Sequence, residues 1–433
     1  MNKDMHCDLL VIGAGLAGMS AAVRAAQKGL DTVVAGNPSS LVFASGLMDY
    51  LGVYPAGSST CLDSPLEGRD ALVRDFPGHA YAAAGHENIL ECFAFIRNIL
   101  DQSGLAYKTA EKEGNNLRVI TAMGTIKPSF MVPETMMEGC RALARGSRDT
   151  TLAVAGIRGL QGFSASQVAE GVSGLFSETV PIRTELPGIT TVVPPQILAE
   201  HMEDPVVLDA FAGQVAPRAR HAGLLGIPAV CGIDNSQSLV KGLSDRLGIP
   251  VFEIPCSPPS IPGLRLKKAF ERSLGRSGVR LLSNTRMQEP VFDGERFTLT
   301  GRLDPDAIRV HARGVVLATG RFFGHGLHAR RERIVETVFR LDVTQPLGRH
   351  LWHDKEFLAL AGHRINRAGI DTDAVFRPLD ARGRPVYPHL YVAGGLLAHN
   401  DWLRLKSGAG VSLVSAMTAV DHFTASAGGG HGH

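Results

Sequence analysis

The residues of this chain with the clearest chemistry are glycines. Gly13-Ala14-Gly15-Leu16-Ala17-Gly18 has the GxGxxG spacing of a backbone that passes close to a diphosphate. Gly13 permits a tight turn, Gly15 lets backbone amides reach the anion, and Gly18 lets a helix pack closely on a strand. Leu16 and Ala17 fall on the first turn of that helix, whose unpaired N–H groups and partial positive charge favour an anion. Two further clusters lie far along the chain. Residues 310–320 read VHARGVVLATG and end in Thr319 and Gly320, and residues 390–395 read LYVAGG and end in Gly394 and Gly395. Ser407-Gly408-Ala409-Gly410 then opens an apolar stretch at Val411. A glycine-rich turn heading a last helix aims a positive dipole at the pyrimidine side of a flavin ring, where negative charge collects on reduction. Nicotinamide chemistry does not require this third element.

The elements that must position these turns are legible around them. Residues 9–12 read LLVI, a short apolar run suited to a strand buried on both faces of a parallel sheet. From Leu16 the apolar and small residues recur at helical spacing through Met19, Ala22, Val23 and Ala26, and Lys28-Gly29 stops the pattern. A second strand follows at residues 32–35. Strand, glycine turn, helix and strand within about 30 residues make the dinucleotide context that a lone GxGxxG lacks. The acidic residue expected near the end of the second strand, where it would hold a ribose hydroxyl, is missing. Asn37 stands there instead, able to substitute only as a neutral hydrogen-bonding group. These features predict a Rossmann-like FAD/NAD(P)-binding flavoprotein fold of the α/β class with an inserted α+β cap or substrate domain. The flavin-binding domain is expected at residues 1–135 and 256–433 and the cap at 136–255. The return point is read from Leu247-Gly248-Ile249-Pro250 and the proline-rich stretch 255–262, which has linker character. Residues 206–226 fit a helix of the second domain, and the tail at 428–433 has the composition of a flexible end.

Composition removes several other function classes. The chain has 433 residues, with 44 Lys plus Arg against 42 Asp plus Glu, so it carries no electrostatic footprint for nucleic acid. Six cysteines spread from Cys7 to Cys256 contain no CxxC, which leaves no zinc knuckle or iron-sulfur run and reads as reduced thiols. No metal site is expected. No uninterrupted apolar stretch reaches membrane-spanning length. Lys3 followed by the apolar stretch 9–22 loosely imitates a secretory signal, but the glycine pattern favours the strand and helix. No internal repeat is visible.

Several segments carry a family likeness: LVFASG at 41–46 with Asp49, MGTIKPSF at 123–130, GIRGLQGF at 156–163, PPSIPGLRL at 258–266, and GIDTDAVFRP at 369–378 before LYVAGG. With them the chain resembles the B subunit family of anaerobic glycerol-3-phosphate dehydrogenase over most of its length, from Asp8 to about Val420. The resemblance implies a three-subunit flavoprotein complex that oxidises sn-glycerol 3-phosphate to dihydroxyacetone phosphate and passes electrons to the quinone pool. It implies FAD on a catalytic A subunit, FMN on this subunit, and iron-sulfur clusters and membrane attachment on a C subunit. FMN is therefore the expected cofactor, with FAD the alternative, and Ser45 and Gly46 join the expected flavin contacts. The location implied is cytoplasmic, peripheral on the inner membrane face through the complex. One residue departs from the family pattern: Arg321 stands where a small residue usually follows Thr319-Gly320.

A polyol phosphate substrate requires a base for its hydroxyl proton, and His399 and Asp401, between LYVAGG and the last helix, are the candidates. Lys127, Arg265, Arg321 and Arg377 are the candidates for the phosphate, guanidinium groups being suited to bidentate binding. Two other readings stay open. One is a stand-alone FAD-dependent dehydrogenase of the fumarate reductase or succinate dehydrogenase type, and the other is a scaffold subunit whose flavin does not turn over.

Overall fold

A computed structural model describes residues 3–303 and 306–428 of the chain. It divides into two compact units: residues 1–40, 49–103 and 270–433 form the first, and residues 41–48 and 104–269 the second.

The first unit is built on β1 (Lys3–Ile12), α1 (Leu16–Gln27) and β2 (Thr32–Gly36). Leu9, Leu10 and Val11 are fully buried, as a strand covered on both faces requires. Lys28 caps α1 and Gly29 follows at φ +78°, the left-handed position that ends a helix. After a helix at Pro65–Asp75 comes α2 (His86–Gln102), which buries Ile89, Phe93, Ile96 and Leu100 along one stripe. The chain returns with β3 (Arg280–Ser283), β4 (Met287–Phe292), β5 (Phe297–Leu303), β6 (Asp306–Leu317) and β7 (Leu390–Val392), and closes with α3 (Gly408–Gly428). The strand order is β3-β2-β1-β6-β5-β4, with β7 also on β6. Strands β3, β2, β1, β6 and β7 run parallel, while β5 and β4 return antiparallel. The parallel part leaves the C-terminal ends of β1, β6 and β7 side by side, where ligands of open α/β sheets bind. Helix α3 packs on α1, and Arg24 forms an ion pair with Asp421 at 2.9 Å across them. The tail prediction meets the end of α3 at Gly428, and residues 429–433 lie outside the described residues.

The second unit has helices around a four-stranded parallel sheet, in the order Val251–Ile254, Leu224–Pro228, Thr151–Ile157, Glu178–Thr184. The helix expected at 206–226 is present as Pro205–Ala219 and buries Phe211 and Val215 in this unit's core. Its boundaries differ from those expected from sequence. Residues 104–135 belong here because Leu117, Val119 and Val132 share a core with Met136 and Cys140. The proline-rich stretch is no linker: the Ser260 amide donates to the Val42 carbonyl at 2.8 Å, and the Ser260 hydroxyl donates to the Ala44 carbonyl. The helix that follows, Ile261–Arg276, begins in this unit and ends in the first.

Candidate functional site

The glycine clusters of the first unit converge. Gly13 has φ +112°, and a Cβ there would lie 2.2 Å from the Ala318 carbonyl oxygen and 3.0 Å from the Thr319 amide. A Cβ on Gly18 would stand 1.8 Å from the Gly13 carbonyl oxygen, so the turn and the helix approach as closely as backbones can. Gly394, at φ +71°, has Ala17 Cβ within 2.7 Å of its own missing Cβ, and its amide donates to Ser415 on α3 at 2.9 Å. Three turns remote in sequence therefore share one place at the ends of β1, β6 and β7. Other glycines there leave space rather than fill it. Gly15 would meet only Ser40 Oγ, at 3.6 Å, while Gly395 would meet nothing within 4 Å and Gly320 only Gly324 Cα at 4.0 Å. No side chain caps α1 at Gly15. Its first-turn N–H groups at Leu16, Ala17 and Gly18 thus lack intrahelical acceptors, and the buried Thr319 hydroxyl has no partner among the described residues.

A polar cluster lies beside these turns, also within the first unit. His399, at φ +62°, has its Nε2 2.6 Å from Asp371 Oδ1, and the other Asp371 oxygen accepts from the Thr344 hydroxyl. The bond to His399, aided by Thr344 and opposed by burial, holds the Asp371 carboxyl below the usual carboxylate range. Asp371, ionised, fixes the His399 tautomer with the proton on Nε2 and leaves Nδ1 as the basic nitrogen. Both side chains line a cavity of about 370 Å³ together with Gly78, Thr372 and Leu397. Neighbouring His79 is 1% exposed; its Nδ1 accepts from the Tyr81 amide, so Nε2 donates to Asn400 Oδ1 at 3.3 Å. Burial pulls the His79 ring down to about 4, with the Asn400 bond opposing, and keeps it neutral. Asn400 also accepts from Ser407 at 3.2 Å, while its buried Nδ2 has no partner. The Arg321 guanidinium donates to the carbonyls of Asn366, Leu397 and Asn400, and its buried Nε has no acceptor. No carboxylate pairs with it at ion-pair distance among the described residues, and burial draws it down to about 10 despite the charge of Asp401.

Other residues singled out by sequence are otherwise engaged. Asp401 is 3% exposed, caps the short helix Trp402–Leu405 and accepts from Asn366 Nδ2 at 3.4 Å, so it serves as a cap. Gly410 is required by Tyr81, whose hydroxyl oxygen would lie 2.2 Å from an added Cβ, and its amide donates to the Asp49 carbonyl. Gly408 would meet Trp402 at 3.3 Å, and Val411 is buried with its amide on the Ser407 carbonyl. Asn37 Oδ1 accepts from the Ser39 amide at 2.9 Å and starts a turn. Arg377 pairs with Asp373 at 2.8 Å.

Ser45, Gly46, Lys127 and Arg265 belong to the second unit. Ser45 Oγ accepts from the Leu47 amide, Gly46 at φ +79° packs against Pro262, and Lys127 lies on the strand Ile126–Ser129. Arg265 corrects an expectation. It is 2% exposed, forms a bidentate pair with Glu253 at 2.5 and 2.8 Å and donates to the carbonyls of Cys231 and Gly232. Burial opposes its charge, but Glu253 outweighs that and holds the guanidinium above its ordinary value. Buried and already paired with a carboxylate, it is committed to the second unit's own core. Sequence reasoning missed Asp371, Thr344, His79 and Tyr81. Asp371 lies inside the GIDTDAVFRP segment, a usable signal, whereas nothing in the sequence marks His79.

Residues 8–411 match the model of the FAD binding domain family. With glycine turns gathered at the ends of parallel strands, the chain belongs to this class of FAD-binding flavoproteins. It is 31% identical to the Halobacterium salinarum protein named as the probable B subunit of anaerobic glycerol-3-phosphate dehydrogenase, over 96% of this chain and 97% of that one. It is 29% identical to the B subunit of the anaerobic glycerol-3-phosphate dehydrogenase of Vibrio cholerae serotype O1, over 97% of each. The chain belongs to the B subunit family of anaerobic glycerol-3-phosphate dehydrogenase. Among solved structures, 3-ketosteroid delta1-dehydrogenase of Sterolibacterium denitrificans aligns at 13% identity and TM-score 0.45, covering 97% of this chain and 100% of that one. The expectation of FMN is corrected, since the matching domain is one that binds FAD. The residues fit such a group: an uncapped helix start, an open face at Gly15 and the unpartnered Thr319 hydroxyl are a cradle for a diphosphate-linked ligand. The lack of an acid at Asn37 does not discriminate, because that side chain is engaged in its own turn.

Proposed function

We propose that this chain is the FAD-carrying B subunit of an anaerobic glycerol-3-phosphate dehydrogenase. In this reading it takes part in oxidising sn-glycerol 3-phosphate to dihydroxyacetone phosphate, with electrons passed to the quinone pool through companion subunits. The observation that carries the reading is the meeting of Gly13, Ala318-Thr319 and Gly394 at the ends of parallel strands, in the same unit as the His399–Asp371 pair. Bound FAD would supply the two-electron acceptor. Gly13, Gly15, Leu16, Ala17 and Gly18 would hold its diphosphate through backbone N–H groups, with Thr319, Gly320, Gly394 and Gly395 bordering the remainder.

The chain's own residues supply the proton chemistry. His399 Nδ1 accepts the substrate hydroxyl proton, while Asp371, held by Thr344, steadies the ring and the imidazolium that results. Asp401 is dropped as a base because it is buried as a helix cap. Arg321 provides positive potential for the anionic substrate, being the singled-out arginine of this unit with no carboxylate at ion-pair distance among the described residues. The companions proposed are a catalytic A subunit and an iron-sulfur C subunit, the latter giving peripheral attachment at the inner face of the cytoplasmic membrane. No helix among the described residues is long and apolar enough to cross a membrane.

The test is anaerobic bleaching. Cofactor released from the purified complex should be FAD, and glycerol 3-phosphate should bleach it in the assembled complex. His399→Gln should lower kcat about 10²–10⁴-fold with FAD retained. Bleaching of the isolated chain alone would favour a stand-alone dehydrogenase, and no bleaching of this chain's FAD in the complex would leave a scaffold.

A further inference from the structure

Away from the glycine turns, the first unit displays a group of exposed apolar side chains. Phe357, Leu358 and Leu360 are 88%, 83% and 78% exposed, and Trp402 and Leu403 stand exposed on the short helix tied to them. This loop is held in place. His363 Nδ1 accepts from the Asp354 amide at 3.0 Å and its Nε2 donates to the Phe357 carbonyl at 3.1 Å, clasping the loop from both sides of one ring. Arg404, on the same short helix as Trp402 and Leu403, donates to the carbonyls of Ala359, Leu360 and Ala56. Buried Trp352 closes the base through the Ile365 amide, with Arg349 over its ring at 5.4 Å. Contiguous exposed apolar side chains disfavour a free monomer, and a fixed apolar patch marks an interaction site. Fixing it in advance removes part of the ordering cost of association.

The rim of the patch states the partner's chemistry. Arg349, Lys355 and Arg364 are exposed and pair with no carboxylate among the described residues, and Arg367 lies over the Phe76 ring at 5.0 Å. Aromatic and arginine side chains are enriched at protein-protein interfaces, and leucines beside them add apolar area to bury. Asp354 and Glu356, also exposed, flank the apolar tip, so the rim carries both signs: a protein socket can set an opposite charge against each, whereas an anionic bilayer would repel the two carboxylates, which argues against a lipid surface. We propose that the Phe357–Leu358–Leu360 loop with Trp402 and Leu403 docks into an apolar socket on a companion protein subunit, with carboxylates set opposite Arg349, Lys355 and Arg364 and basic groups opposite Asp354 and Glu356. This rests on the multisubunit reading above and adds where on this chain the companion sits.

The experiment uses the complex co-expressed with its companion subunits and purified through a tag on this chain. In the double variant Phe357→Asp/Leu358→Asp the companion's ratio to this chain should fall at least tenfold, with FAD content and melting temperature of this chain unchanged. Lys355→Glu/Arg364→Glu should lower the salt concentration at which the complex dissociates, because screened attraction across the rim is removed. A companion retained at the wild-type ratio by the apolar variant overturns the proposal. So does an intact complex whose only defect is lost binding to anionic phospholipid vesicles. A wild-type chain that brings no companion overturns the multisubunit reading itself, and this proposal with it.

Discussion

Arg265, buried in the second unit, and Arg321, half-buried in the first, are both reached from sequence as phosphate ligands, and the structure treats them oppositely. Arg265 is matched: a bidentate carboxylate and two backbone carbonyls accept from it. Arg321 is held by carbonyls alone, with a bare Nε, and stands among other unsatisfied atoms, Thr319 Oγ1 and Asn400 Nδ2. A buried charge matched within its own unit is part of the scaffold, because breaking the pair leaves an uncompensated ion. A half-buried charge and several orphaned polar atoms in one unit are groups that folding alone does not satisfy, and such places are where a ligand completes the hydrogen bonding.

The comparison breaks most readily at the glycines. Gly13→Val, forced into the Ala318 carbonyl at φ +112°, should abolish bound FAD, read from the flavin absorbance of the purified chain. Gly15→Ala sharpens it: the added methyl meets only Ser40 Oγ at 3.6 Å, so the apo chain should melt as wild type while FAD affinity falls about tenfold or more. A Gly15→Ala chain with undiminished FAD would show that this open face is not kept for the cofactor. In the second unit, Glu253→Gln should cost about 3–5 kcal/mol by leaving Arg265 unpaired, measured by urea unfolding. A cost below about 1 kcal/mol would mean that the pair is not the anchor described here.

His79 gives a pH signature to the first unit. Its folded value near 4 lies below the unfolded one near 6.5, so between these the unfolded chain binds a proton that the folded chain refuses. Stability is full above about pH 6.5 and falls as the pH drops toward 4, by up to about 3 kcal/mol. His79→Gln should flatten that part of the urea-midpoint profile, and an unchanged slope would assign the loss to other groups. The smallest effect is expected at Arg377, already paired with Asp373 on a half-exposed surface. Arg377→Gln should change KM for glycerol 3-phosphate in the complex by less than about twofold, since an exposed pair contributes about 0–1 kcal/mol.

The nucleotide-binding end of the fold was legible because its signals are local. The apolar run at 9–12, the glycine spacing and the stop at Lys28-Gly29 each specify backbone conformation within a few residues, and β1, α1 and β2 follow them closely. The glycines at 394 and 395 carried the same kind of information at the end of β7. The unit boundaries were less legible because they depend on which core a segment joins. Residues 104–135 carry no mark saying that Val119 and Val132 pack with Cys140, and the proline-rich stretch looks like a linker until Ser260 is seen bonded to residues 42 and 44.

What the sequence by itself determined is therefore the set of places where the main chain must bend sharply or approach another main chain, and with them the class of ligand. Backbone constraints of this kind are written in single residue types, since only glycine satisfies them. Tertiary structure alone decided which polar side chains are satisfied and which are left over. It matched Arg265 with Glu253, gave Asp401 to a helix end, set His399 on Asp371 and left Arg321 with no carboxylate at ion-pair distance among the described residues. Pairing of that sort joins residues far apart in the chain, and no spacing rule encodes it.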